Sequence, residues 1–214
     1  MLWQDHSVAP SGSLAPFAPP VGAYSAAERG ARIPPTDGAW RIVRGWAGQL
    51  SVAGGGRPHL FSFFLPGDLV PGPSAHYDMV ALTHVDLAEQ TGRDDEARAA
   101  AEAASARLFA HAARLATYGA YGRIADLLLE LHDRCVAAGL ASGCRFPFPV
   151  GQEQIGAITG LSAVHVNRTL AKLRADRLLL VGPGWYALPD RETLRRRMQE
   201  GLGAPCERTA APLS

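Results

Sequence analysis

The side chains best suited to chemistry in this sequence fall in one short stretch, Ser162 to Lys172. Drawn as a helix, it places Val166, Leu170 and Leu173 at i, i+4 and i+7, a stripe that would be buried together with Leu161. Val164, Arg168, Ala171 and Ala175 then lie nearly opposite, Lys172 stands close to that face, and His165 and Asn167 flank it. These residue types suit hydrogen bonding to nucleic-acid bases. The planar guanidinium of Arg168 can bond guanine O6 and N7, the amide of Asn167 can bond adenine N6 and N7, and Val164 can offer only an apolar contact such as a thymine methyl. The small residues between them would let the helix enter a major groove about 12 Å wide. Ser162, His165, Thr169 and Lys172 are expected at phosphates rather than base edges.

Such a helix needs neighbours to hold it. Upstream, Gln152 to Ile158 predicts a short helix with Ile155 and Ile158 inward, and Thr159-Gly160-Leu161 predicts a tight turn in which Gly160 takes a positive φ. Ser162 is a good N-cap for the next helix. Downstream, Leu178 to Val181, the turn Gly182-Pro183-Gly184 and Trp185 to Leu188 read as a β-hairpin wing. A helix pair alone is a moderate signal; the pair with its glycine turn, serine cap, outward arginine and following hairpin is a strong one. Between Pro149 and Met198, Arg168, Lys172, Arg174, Arg177, Arg191, Arg195, Arg196 and Arg197 outnumber Glu153, Asp176, Asp190 and Glu192. That local excess is the electrostatic footprint a nucleic-acid-binding module needs, although the whole chain carries a formal charge of only +1.

The rest of the chain has a different texture. Residues 1–39 are rich in proline and read as irregular, with a short helical turn near Ala23–Arg29. From Trp40 to about Ala88, short apolar runs (Trp40 to Val43, Gly48 to Val52, His59 to Leu65, Met79 to Leu87) alternate with turn signals and predict a small antiparallel sheet or barrel, with a hairpin at Gly54-Gly55-Gly56. From Asp94 to about Gly139 the pattern is helical. Ala97, Ala101, Ala104, Leu108, His111, Leu115 and Tyr118 recur in steps of four and three, a heptad seam that could pack on its own chain or, as favoured here, pair with a second copy. After Gly119 and Gly122, the residues Ile124, Leu127, Leu128 and Leu131 define a further helix.

Together these residues resemble the Crp/Fnr (cyclic-AMP receptor/fumarate-nitrate regulator) family. The likeness rests on the segment Pro149–Val181, on Gly122-Arg123-Ile124-Ala125, and on Arg44 to Ala47 followed by Gly56 to Val70 with its Pro66-Gly67-Asp68 turn, and it covers roughly residues 40–199. It implies an α+β fold: an N-terminal antiparallel β-roll like a cyclic-nucleotide-binding domain, a long dimerisation helix and a C-terminal winged helix-turn-helix. The corresponding boundaries are a divergent, partly disordered segment at 1–39, a β-roll at 40–92, the dimerisation and connecting helices at 93–147, the winged helix-turn-helix at 148–199 and a flexible tail at 200–214. The positions matching the family's base-reading residues are Ala163, Val164, Asn167 and Arg168. Because Val164 replaces a glutamate there, the palindromic site should differ from the family's common half-sites. The implied partners are double-stranded DNA, a second copy of the chain and RNA polymerase.

The same stretch that carries the likeness lacks part of the family's ligand chemistry. Leu69 to Val80 contains no glutamate, and no Lys or Arg occurs between Pro58 and Gly92. An enclosed phosphate would miss its strongest charge-assisted bonds, so no cyclic-nucleotide cofactor is expected. Cys135, Cys144 and Cys206 are odd in number and lack zinc or disulfide spacing, and Cys135 sits within a leucine-rich helical pattern. His59, His76 and His84 read as surface or hydrogen-bonded residues rather than metal ligands. His111 on the seam, facing its symmetry mate, would oppose dimerisation on protonation near pH ~6.5. No apolar run spans a membrane and no signal peptide is evident, so the expected location is the cytoplasm. No phosphate loop or nucleophile–base arrangement suggests an enzyme. The competing readings are a small-molecule, haem or redox sensor with secondary DNA binding, and a degenerate protein-interaction module.

Overall fold

A computed structural model of the chain describes residues 23–34, 36, 39–51, 59–70, 77–90 and 94–200. The three-glycine hairpin, residues 71–76 with His76 among them, and residues 201–214 with Cys206 fall outside these residues.

The alternating strands build a roll of two antiparallel sheets. One has the order β1 (Tyr24–Ala27), β7 (Val85–Gln90), β2 (Ala39–Arg44), β5 (Leu69–Val70); the other has β4 (His59–Phe64), β3 (Ala47–Ser51), β6 (Asp78–Ala81). Two expectations need correction. The helical turn near Ala23–Arg29 is instead the edge strand β1, paired from Tyr24↔Ala88 to Ala27↔Val85. Proline spacing concealed it, because an edge strand needs a partner more than a pattern of its own. The run Met79 to Leu87 is two strands: Leu82 to His84 turn the chain between β6 and β7 and carry it from one sheet to the other. His84 accordingly sits exposed at that corner, its ring nitrogens 3.0 Å from Glu28 and 3.1 Å from Asp86.

Trp40, Ile42, Phe64, Val70, Val85 and Leu87 fill the inside of the roll. A second core begins on the β4–β3–β6 sheet with Trp46, Leu60, Phe63 and Leu65 and continues without a break into the C-terminal helices. Trp46 is its hinge pin: 3% exposed, it meets Phe63 edge-on at 5.9 Å and Phe148 edge-on at 6.1 Å.

The long helix α1 (Asp94–Thr117) forms as expected, but its buried face does not follow the heptad seam. Ala100, Ala104, Arg107, His111 and Arg114 turn toward the chain's own roll and the next helix, α2 (Ala120–Ala137), while Ala101 and Leu108 are exposed. Ala104 and His111 therefore do not face a symmetry mate, and Tyr118 packs on the chain's own core. The side chain of Ala97 lies outside the described residues. Ion pairing explains the shift. Arg114, 2% exposed, reaches Asp126 at 2.7 Å and also holds Glu130, so an arginine that reads as surface becomes interior.

His111 is 6% exposed and stands edge-on to Phe61 at 5.5 Å. Burial, and then the charge of nearby Arg114, hold its imidazolium back and keep its pKa below the ordinary value. The unfolded chain takes up that proton first, so this site contributes fully above about pH 6.5 and loses stability as pH falls toward the folded pKa. The expected outcome is a urea midpoint that drops between pH 7.5 and 5.5 more steeply in the wild-type chain than in His111→Phe.

Candidate nucleic-acid interface

The C-terminal module is built around α2. Its buried Ile124, Leu127, Leu128 and Leu131 meet α3 (Gln152–Thr159), α4 (Ala163–Ala175) and α5 (Arg191–Glu200). A three-stranded sheet closes it, in the order β8 (Arg145–Pro147), β10 (Trp185–Ala187), β9 (Leu180–Gly182). The wing hairpin is where its turn residues put it. Strand β8 has no counterpart among the sequence expectations, and by pairing with β10 it extends the module upstream of residue 148.

The turn between α3 and α4 obeys its glycines. Gly160 ends α3 at φ 65°, ψ 29°, the left-handed conformation expected of it. Gly156 has a role that spacing alone does not reveal: a Cβ there would stand 2.8 Å from the Leu161 carbonyl oxygen, so only glycine lets the turn close onto α3. Arg123 then fixes the corner. Its guanidinium donates to the carbonyls of Tyr118 (2.8 Å), Leu115 (2.9 Å) and Thr159 (3.2 Å), capping the end of α1 and the end of α3 together. These helix ends would otherwise leave unsatisfied acceptors.

Ser162 caps α4 as expected. Its Oγ accepts the His165 amide at 3.4 Å and lies 2.8 Å from His165 Nδ1. Val166, Leu170 and Leu173 are buried, and Ile155 and Ile158 face them from α3. Of the expected contact residues, Ser162, Ala163, Val164, His165, Asn167, Arg168 and Lys172 are exposed on one end and side of the helix, Val164 by 67%. Thr169 is the exception. Three residues after Val166, it joins the inward stripe and is only 7% exposed, so its hydroxyl cannot meet a phosphate.

The charge footprint is also smaller than composition suggests. On α5, Arg191 and Arg195 pair with Asp133, Arg197 pairs with Asp176, and Arg196 lies 3.8 Å from Glu200. By contrast, the side chains of Arg168, Lys172, Arg174 and Arg177 are exposed and make no hydrogen bond or ion pair with any other described residue. They keep their positive charge available beside the exposed base-reading face. At the wing, the Arg145 guanidinium stacks 4.1 Å from the Trp185 ring. Cys135 is a buried helix residue whose thiol pKa burial pushes up to about 12, which keeps it unreactive.

Among the described residues, no helix is long and apolar enough to cross a membrane. No curated protein matches the chain by sequence. The model of the Crp-like helix-turn-helix domain matches residues 122–197, from α2 through most of α5. Solved structures with the same fold include FixK2 from Bradyrhizobium japonicum, with 23% identity and a TM-score of 0.70 over 82% of this chain and 96% of that one. A Crp/Fnr-family transcriptional regulator from Thermus thermophilus has 20% identity and a TM-score of 0.63, covering 84% of this chain and 100% of its own. A CooA mutant from Carboxydothermus hydrogenoformans has 15% identity and a TM-score of 0.60, over 82% and 87%. The chain thus carries a Crp-like helix-turn-helix domain at residues 122–197 and has the fold of the Crp/Fnr transcription regulators.

Proposed function

We propose that this chain is a transcription regulator, not an enzyme, that binds a palindromic site in double-stranded DNA as a homodimer. The observation that carries the reading is the outer face of α4. Arg168, Asn167 and Val164 are exposed and unpaired on a helix fixed from behind by Val166, Leu170 and Leu173. Arg168 and Asn167 read bases, Val164 touches a thymine methyl, and Ser162, His165 and Lys172 meet phosphates. Such a protein works beside the chromosome, in the cytoplasm, and RNA polymerase is its further partner.

We place the dimer face on the side of α1 that the chain's own roll leaves uncovered. The exposed apolar stripe of α1 runs through Ala101, Leu108, Phe109 and Ala112, with Leu115 half-buried at its edge. Phe109 is 77% and Leu108 48% exposed, unusual for large apolar side chains on a helix unless a partner covers them. A second α1 laid along this stripe would set two α4 helices about one DNA turn apart. Since His111 faces its own roll, the seam has no histidine pair and dimerisation gains no pH switch from it.

The experiment is selection of bound sequences from random duplex DNA, followed by titration of the selected site at several salt concentrations. A palindrome with half-site centres about 10 base pairs apart, and affinity that falls steeply with salt, is expected. Phe109→Asp should shift the chain from dimer to monomer in sedimentation and weaken duplex binding by at least about tenfold. Failure to retain any duplex at low ionic strength would remove the reading.

A further inference from the structure

The carboxylate of Asp68, in the turn between β4 and β5, joins three parts of the molecule. Its Oδ2 accepts the Leu65 amide at 2.7 Å within the roll and Arg134 Nη2 of α2 at 2.6 Å. Its Oδ1 lies 3.6 Å from Arg107 Nη1 of α1. Arg134 is held from its other side by the Phe63 carbonyl at 2.7 Å and by Glu130 at 3.1 Å, and Glu130 also takes Arg114. Arg107 lies over the Phe64 ring, 4.3 Å from its centre. Arg107, Arg114 and Arg134 are thus balanced by Asp68, Asp126 and Glu130 at the place where roll, long helix and Crp-like domain meet. Both helices send a cation to Asp68, Arg107 from α1 and Arg134 from α2. The side chains of Asp68 and Arg134 are 22% and 20% exposed, and an open cleft between Pro66-Gly67 and Ala137-Ala138 reaches them.

We propose that the Asp68–Arg134 pair is a latch that holds the Crp-like domain against the roll in the orientation that presents α4 to DNA. Beneath it, Trp46 meets Phe63 on the roll and Phe148 on the other module through apolar contact, which resists separation but tolerates sliding. A charge-assisted bond between fixed side chains has direction, and losing it leaves Arg134 with partners on its own helix and the Phe63 carbonyl alone, and Asp68 without its closest cation. The docked state does not hide the reading surface, because Val164, Asn167, Arg168 and Lys172 are all exposed in it. What docking supplies is therefore a fixed direction for α4. Holding that direction before DNA arrives lowers the ordering cost of binding. Asp68 and Arg134 are positioning residues in this role, and their effect on affinity rests on the DNA-binding reading above.

The test uses the full chain with Asp68→Asn, which keeps an oxygen for the Leu65 amide, Arg134→Gln, and the double variant. Each is titrated with the selected duplex and followed by amide hydrogen exchange without DNA. Each single variant should weaken binding by about tenfold, and the double variant by clearly less than the product of the two, since both remove the bond between Asp68 and Arg134. Exchange should rise in β4 and α3 while the β1–β7–β2 sheet stays protected. Unchanged or tighter binding, additive losses, or loss of protection throughout the chain would each overturn the latch. If the wild-type chain retains no duplex, the DNA reading fails by itself; the exchange measurement still decides the latch, and unaltered β4 and α3 protection in Asp68→Asn sinks it.

Discussion

Arg168→Ala is expected to cost about 1–3 kcal/mol of affinity for the selected duplex, roughly five- to 150-fold, with a much smaller loss on random duplex of equal length. The guanidinium is exposed and has no partner among the described residues, so its removal breaks nothing inside the protein. Thermal stability should accordingly stay within about 0.5 kcal/mol of the wild type. In the proposed complex the lost term is a bidentate bond to a guanine edge, which neither Val164, without a donor, nor Lys172, a point charge, can replace. Lys172→Ala provides the contrast, weakening all duplexes alike and reducing the salt slope by about one. Equal losses for Arg168→Ala on selected and random DNA would show that it meets only the backbone.

Trp46→Ala is expected to lower the unfolding free energy by about 3–5 kcal/mol, the range for removing a large aromatic from a core. For a chain of this size that corresponds to a melting temperature lower by roughly 10 °C. The indole is 3% exposed and contacts Phe63 on the roll and Phe148 in the Crp-like domain. Its backbone N–H also donates to Thr83 Oγ1 at 2.8 Å, so neighbouring backbone is pinned and cannot easily collapse into the space left behind. Because the core is continuous across both modules, roll and helices should lose stability together. A loss below about 1 kcal/mol, measured by urea unfolding, would show that the two modules are not packed through this residue.

What could be read from sequence alone followed local physics. The α3 turn, the Ser162 cap and the Val166–Leu170–Leu173 stripe depend on neighbours a few residues away, and the structure has each of them. Side-chain spacing within one helix likewise places Val164, Asn167 and Arg168 on its exposed side. The features that escaped depend on distant partners. Strand β1 exists because β7 offers it an edge, and β8 because β10 does. The buried face of α1 contains Arg107 and Arg114, whose acceptors are Asp68, Asp126 and Glu130; polar residues that neutralise one another across elements carry no apolar signal. Thr169 misleads for the converse reason, since a hydroxyl on a buried stripe still looks polar. Arg191, Arg195 and Arg197 of α5 count toward a basic surface until Asp133 and Asp176 are seen to pair with them.

One geometric consequence of α1 reaches beyond this chain. Arg107 and Leu108 are consecutive, so they point about 100° apart around the helix axis, one into the chain and one out of it. If α1 pairs two copies as proposed, selection can act on them separately: substitutions along the outward side could rewrite which subunits recognise each other while the inward side went on gripping the roll unchanged. Paralogues descended from such an ancestor could stop exchanging subunits long before their individual folds diverged.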